Sequence, residues 1–102
     1  MNVKVYDAAK LELEEGIQWY EEQNKGLGFK FSFEIHETIK RILAFPESYS
    51  EIDLKIRRAL VKKFPYGIIY TINEENIEIV AVANLHRIPL YWATRISMHK
   101  NR

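Results

Sequence analysis

Four cations stand close together in the chain at Arg57, Arg58, Lys62 and Lys63, and Arg87 and Tyr91 follow some way on. Guanidinium and ammonium groups bind phosphate through charge-assisted hydrogen bonds, so this set suits a phosphate-bearing or acidic partner. Cutting a phosphodiester without a metal asks for more. It needs a group to activate the 2′-hydroxyl, cations to meet the charge of the transition state, and an acid for the leaving oxygen. The residues able to supply these are Arg58, Lys62, His86, Arg87 and Tyr91. His86 has an ordinary pKa of ~6.5 and can move a proton at neutral pH. Arg87 and Tyr91 reach one phosphate if the terminal segment folds back. Plainer readings stand beside these. Basic residues along an edge strand guard it against pairing with another molecule. A histidine at a strand end is more often hydrogen-bonded than catalytic, and Tyr91 and Trp92 serve equally well in packing.

Other chemistries lack their residues. His36, His86 and His99 lie far apart and there is no cysteine, so no metal site and no disulfide framework is expected. The four glycines are scattered and form neither GxGxxG nor a P-loop, which speaks against nucleotide cofactors. No serine stands in a nucleophile-elbow pattern. No cofactor of any kind is expected.

The elements that must position these residues fit one domain, residues 1–102. A chain of 102 residues with 47% hydrophobic and 28% charged residues has the balance of a folded soluble protein. The net charge is only +1, but it is unevenly spread. Residues 1–51 carry ten acids against six bases and residues 52–102 four acids against nine, or −4 and +5. Such asymmetry can give a neutral protein one basic face. The opening residues lack an apolar signal region and no window offers the ~18 apolar residues of a membrane span, so a cytoplasmic protein away from membranes is expected.

Val3 and Val5 alternate with polar neighbours and predict a short strand over Asn2 to Tyr6. Asp7 is placed to cap a helix whose apolar face is Ala9, Leu13, Gly16, Ile17 and Tyr20. Gly26 suits a left-handed stop. A second helix carries Phe31, Ile35, Ile39, Ile42 and Phe45 on one stripe, with Lys30, Glu34, Glu37 and Arg41 away from it, and Glu37 spaced to pair with Arg41. Pro46 ends this helix. Pro46 to Lys55 reads as a crossing loop, followed by strands at Ile56–Lys63, Gly67–Asn73 and Ile77–Asn84. The bridge Glu74-Glu75-Asn76 is a hairpin signal. Ile77 to Ala83 is nearly all apolar, as in a strand covered on both faces. Leu90 to Met98 predicts a short terminal helix, with the last four residues frayed. The sum is an α+β fold: an N-terminal strand and an antiparallel helical hairpin packed on a small, mainly antiparallel sheet, with a short C-terminal helix.

Phe29 and Phe33 fall near the helix face opposite Phe31, Ile35 and Ile42. Exposed aromatic pairs mark a contact for another helix or a second copy of the chain, unless the helix starts late or the long loop covers them.

Spaced motifs carry a resemblance over Leu13 to Trp92. They run Glu14-Glu15, Trp19-Tyr20-Glu21, Gly26-Leu27-Gly28 with Phe31 and Glu34, and Phe45-Pro46. Ile56-Arg57-Arg58, Phe64-Pro65-Tyr66 with Ile69-Tyr70, Ala81-Val82-Ala83, His86-Arg87, Pro89 and Tyr91-Trp92 complete the set. In this order they resemble the RelE/ParE toxins, above all the plasmid-stabilisation branch. The resemblance implies a bacterial growth-inhibiting toxin, held inactive by a cognate antitoxin encoded beside it. Relatives of one fold have two targets: RelE-like members cut messenger RNA in the ribosomal A site, and ParE-like members inhibit DNA gyrase. Two departures bear on the chemistry. Asn84 stands where many relatives have histidine, and Gly67 where many have arginine after the tyrosine that Tyr66 resembles. Gyrase inhibition is therefore favoured, with ribosome-dependent cleavage and a degenerate, antitoxin-binding module as alternatives. Target binding is expected at Arg57, Arg58, Lys62, Lys63, Arg87, Arg95 and Lys100, and antitoxin binding or homodimer formation at Phe29 and Phe33.

Overall fold

The structure, a computed structural model, describes residues 1–100, with side chains through Ile96. Strand β1 (Asn2–Val5) lies at one edge of the sheet, with Val3 and Val5 half-buried and Asn2 and Lys4 exposed. Helix α1 (Asp7–Gln23) follows at once. The Tyr6 carbonyl accepts the N–H groups of Ala9 and Lys10 at 2.9 and 3.0 Å, so Tyr6 holds the capping position expected of Asp7. Asp7 sits in the first turn instead, where a negative charge meets the positive end of the helix dipole.

Gly26, at φ +88°, turns the chain into α2 (Leu27–Ala44), and this left-handed backbone is the one glycine adopts without strain. It opens the second helix; the first ends through an extended Asn24. The Glu21 carboxylate reaches across the turn to accept the N–H of Gly26 at 3.0 and 3.1 Å and that of Gly28 at 3.0 Å. The last turn of α1 thereby satisfies donors that the first turn of α2 leaves open.

Phe31, Ile35 and Ile42 of α2 are buried, as the stripe predicts, but so are Glu34 and Thr38. The buried face is wider than the apolar pattern because its polar members are satisfied locally. The Thr38 hydroxyl donates to the Glu34 carbonyl at 2.7 Å and accepts from Arg41 at 3.0 Å, and the Glu34 carboxylate lies 3.6 Å from Lys63. Arg41 is thereby drawn away from Glu37, which pairs with Lys40 at 3.2 Å. Phe45 leaves the stripe because, as the residue closing the helix at φ −141°, it no longer follows the helical turn, and it is exposed.

Pro46 to Lys55 is more than a loop. It contains β2 (Glu51–Asp53), a short edge strand paired with β3 (Ile56–Leu60) through Glu51 and Arg57. Strand β4 (Tyr66–Asn73) and β5 (Asn76–Asn84) form a hairpin across Glu74 and Glu75, with Glu74 at φ +57°. The five strands run in the order β1-β5-β4-β3-β2, antiparallel except for the β1–β5 pair, and the register shifts at Ile69 and Tyr70 so that Val80 has no partner opposite. Such a bulge bends the strand and raises its twist.

The helical hairpin covers one sheet face. Phe31 packs on Phe64 and Tyr66 at ring separations of 5.2 and 4.7 Å, with Tyr20 at 5.0 Å. On the other face Arg58, Ile69 and Ala83 meet Ile52 and Trp92. The segment after β5 thus folds back, and Trp92 is buried by it. Leu90, at φ +64°, breaks the helical backbone, so helix α3 (Ala93–Lys100) begins three residues later than the pattern predicts. The fraying expected of the last four residues is not seen at His99 and Lys100, which α3 includes, and the last two lie outside the described residues.

Candidate target-binding face

Strand geometry separates Arg57 from Arg58. Successive side chains point to opposite faces, so the two arginines cannot form one strip with Lys62 and Lys63. Arg57 turns towards the loop after α2, and its Nη1 donates to the Tyr49 and Glu47 carbonyls at 2.6 and 3.0 Å. Arg58 faces outward on the second sheet face, beside Ile69 and opposite the helical hairpin. Its stem occupies the space over Gly67, where an added Cβ would stand 3.1 Å from Arg58 Cγ and 3.4 Å from Leu85 Cδ2. Gly67 therefore gives Arg58 a bed to lie on. Leu60, paired with Gly67, is exposed on that same face.

Strand β3 stops at Leu60, which leaves Lys62 and Lys63 in the turn that follows. Lys63, at φ +72°, leans towards Glu34, while Lys62 stays exposed. At the far end of β5 the Asn84 side-chain oxygen accepts the His86 N–H at 2.9 Å. Asparagine here serves the turn that carries the chain off the sheet. His86 is exposed and lines, with Arg87, Trp19 and Tyr66, an open cleft of about 590 Å³ beside α1. Burial raises the Tyr66 phenol above its ordinary pKa, opposed by a hydrogen bond with Asn84 and reinforced by Glu12 and Glu15.

Arg87, Tyr91 and Arg95 come together, but on a carboxylate and not around open space for a phosphate. Glu12 of α1 accepts from the Tyr91 hydroxyl, from Arg95 Nη1 and Nη2 at 2.8 and 3.1 Å, and from the Val82 N–H at 3.1 Å. Arg87 Nη1 lies 3.5 Å from the same carboxylate, and its guanidinium stacks 3.7 Å from the centre of the Tyr91 ring. Burial, followed by the hydrogen bond to Glu12, pushes the Tyr91 phenol well above its ordinary pKa, and the same carboxylate raises Arg95. The sequence reading missed Glu12. Its one local signal is position: three residues after buried Ala9 and four before buried Gly16, it borders the face that α1 turns to the sheet.

A second groove, of about 320 Å³, runs over the sheet between Arg58, Ile52, Leu85, Ile88 and Trp92, and Arg87 lines it as well as the cleft. On the far side of the molecule Phe29 and Phe33 stand 75% and 52% exposed on the outer face of α2. The side chain of Lys100 lies outside the described residues.

A helical hairpin on one face of a five-stranded sheet, with cations and apolar side chains turned outward, defines a small α+β domain. Residues 3–89 match the family described as the ParE toxin of type II toxin-antitoxin system, parDE, and the chain belongs to that family. Family membership implies an antitoxin partner. Among solved structures the fold is similar to one titled "Chromosomal ParDE TA system from P. aeruginosa", with a TM-score of 0.75 and 14% identity over 84% of this chain and 97% of that one. No curated protein sequence matches the chain. Among the described residues no helix is long and apolar enough to cross a membrane.

Proposed function

We propose that this ParE-family chain arrests growth in the bacterial cytoplasm by binding DNA gyrase through the sheet face around Arg58 and Arg87, without cutting RNA. One observation carries the reading: the groups that metal-free cleavage would use are not arranged around one phosphate. Tyr91 and Arg87 are turned onto Glu12, and burial with that hydrogen bond makes Tyr91 hold its proton more firmly. Arg58 stands over Gly67 without a second cation beside it on the strand, since the next outward position is Leu60. Cleavage relies on prepositioned donors, and losing one costs ~10²–10³ in rate. Binding needs only complementary charge and apolar surface, which this face has. A cognate antitoxin is proposed to seat on Phe29 and Phe33, with a second copy of the chain as the other occupant of that face.

The test pairs two purified systems. Supercoiling by gyrase should fall as the chain is added, while ribosomes programmed with an open A site should leave their messenger intact. A-site cutting at a fast rate with gyrase unaffected would overturn the reading in favour of the RelE-like nuclease. Inactivity in both, with antitoxin still bound, would mark a degenerate module.

A further inference from the structure

The segment that carries Arg87 and Tyr91 leaves the sheet at Asn84 and must be held in place by something. Among the described residues, the side-chain hydrogen bonds of residues 91–96 go to two acceptors, the Glu12 carboxylate and the Val80 carbonyl, the latter at 3.1 Å from Arg95 Nη1. Glu12 is separated from its partners by 79 and 83 residues in sequence, so these contacts tie the first helix to the last. The geometry is demanding. Arg95 meets the carboxylate as a fork, one nitrogen to each oxygen, and Arg95 and Glu12 are only 19% and 12% exposed. A planar guanidinium bound in this way fixes direction as well as distance. The Val82 N–H anchors the carboxylate from the sheet side.

We infer that Glu12 is a positioning residue: its single carboxylate, held by β5, sets the placement of Arg87 and Tyr91 at the target-facing surface while touching no target itself. Arg87 is stacked on the Tyr91 ring and drawn to the same carboxylate, so these two contacts hold its half-exposed guanidinium in one arrangement. Without Glu12 the two guanidinium groups of Arg87 and Arg95 lose their shared anion, and what remains to hold the segment is the packing of Tyr91, Trp92 and Ile96 and the Val80 carbonyl. This inference rests on the proposal that the Arg87 side meets the target, and its test separates the two.

Glu12→Gln keeps an acceptor for Tyr91 and Val82 but removes the charge and the two-oxygen fork. In the full chain it should melt cooperatively, bind antitoxin as the parent does, shift the emission of buried Trp92 to the red, and speed amide exchange over residues 87–96. Trp19 is already 57% exposed and gives a constant background. Gyrase inhibition should fall by roughly tenfold, the size of effect that a residue coupled to a binding site without touching it can have. Arg95→Lys, which keeps the charge and loses the fork, should give the same changes in smaller degree and serves if Glu12→Gln does not fold. Glu34→Gln, at a carboxylate as buried but remote from the segment, should leave Trp92 emission unchanged. Unaltered exchange and emission in Glu12→Gln would overturn the inference, and so would altered exchange with undiminished inhibition. Should the parent chain leave gyrase untouched, the target proposal fails alone, and exchange with emission still decides whether Glu12 positions the segment.

Discussion

A Cβ built on Gly16 of α1 would stand 2.6 Å from Cε2 of the Phe31 ring on α2, so the two helices meet where one has no side chain. Phe31 cannot give way, because it is fully buried and Tyr20, Phe64 and Tyr66 surround it at ring separations of 5.0, 5.2 and 4.7 Å.

Two effects oppose each other in Gly16→Ala. Alanine favours a helix interior over glycine by about 1 kcal/mol. Overpacking a closed core costs about 1–3 kcal/mol. With Phe31 boxed in, the steric cost should win, and the variant should lose about 1 kcal/mol or more by urea denaturation. A variant more stable than the parent would mean that the helices slide apart freely.

Tyr70 links sheet and loop, donating its hydroxyl to the Pro46 carbonyl at 2.6 Å. Burial pushes its phenol up to about 12, only partly offset by Arg57. A phenol whose folded pKa lies above the unfolded value of about 10 keeps its proton longer in the native state. Its contribution to stability is therefore fully present below pH 10 and is lost as the pH rises towards 12. Tyr6 and Tyr91, also raised chiefly by burial, add to the same alkaline decline. Tyr70→Phe should lose about 1 kcal/mol at neutral pH through its unpaired carbonyl. Its urea midpoint should then fall less steeply than the parent's above pH 10. Equal slopes would remove Tyr70 from the alkaline transition.

What was legible in the sequence was local in period. Val3 and Val5 alternate, Phe31, Ile35 and Ile42 repeat at helical spacing, and Pro46 stops a helix; each follows from neighbours a few residues apart. Strand β2 was not legible, because three residues are too few to show alternation and their support comes from β3, including the Arg58 N–H to the Ser50 carbonyl at 3.2 Å. The opposite facing of Arg57 and Arg58 was implicit in the strand itself and outweighed by their shared charge. Glu12 was out of reach, since nothing near it announces partners at Tyr91 and Arg95.

Phe29 and Phe33 are one helical turn apart and both exposed, on the outer face of α2. Burying one large aromatic stabilises a contact by roughly 1.5–3 kcal/mol. Replacing both by serine should weaken the antitoxin complex by a factor of about 100 or more, because each 1.4 kcal/mol is about tenfold. Monomer stability should stay close to the parent's. Unchanged affinity in a titration of the two proteins would move the antitoxin to another face.

Arg57 and Arg58 give the sharpest contrast, since neighbours of one type should behave in opposite ways. Arg57 binds two loop carbonyls, at 2.6 and 3.0 Å, and its loss strands the part-buried one, that of Tyr49. Arg57→Ala should lower stability by about 1–3 kcal/mol and leave gyrase inhibition per folded molecule unaltered. Among the described residues Arg58 has no such side-chain bonds, but its Cγ and Cδ lie over Gly67, so truncation to alanine would confuse lost packing with lost charge. Arg58→Gln keeps the stem as far as Cδ and removes the guanidinium. Its stability should lie within about 0.5 kcal/mol of the parent, as for an exposed substitution away from any buried bond. Its inhibition of gyrase should nevertheless weaken, and the effect of added salt on that inhibition should shrink, since one outward charge has gone. The two measurements, a urea midpoint and a supercoiling titration, must therefore rank the variants in opposite orders. If Arg58→Gln inhibits as the parent does at every salt concentration, the target does not meet this face. The groove beside Trp92 would then hold something other than the toxin's target.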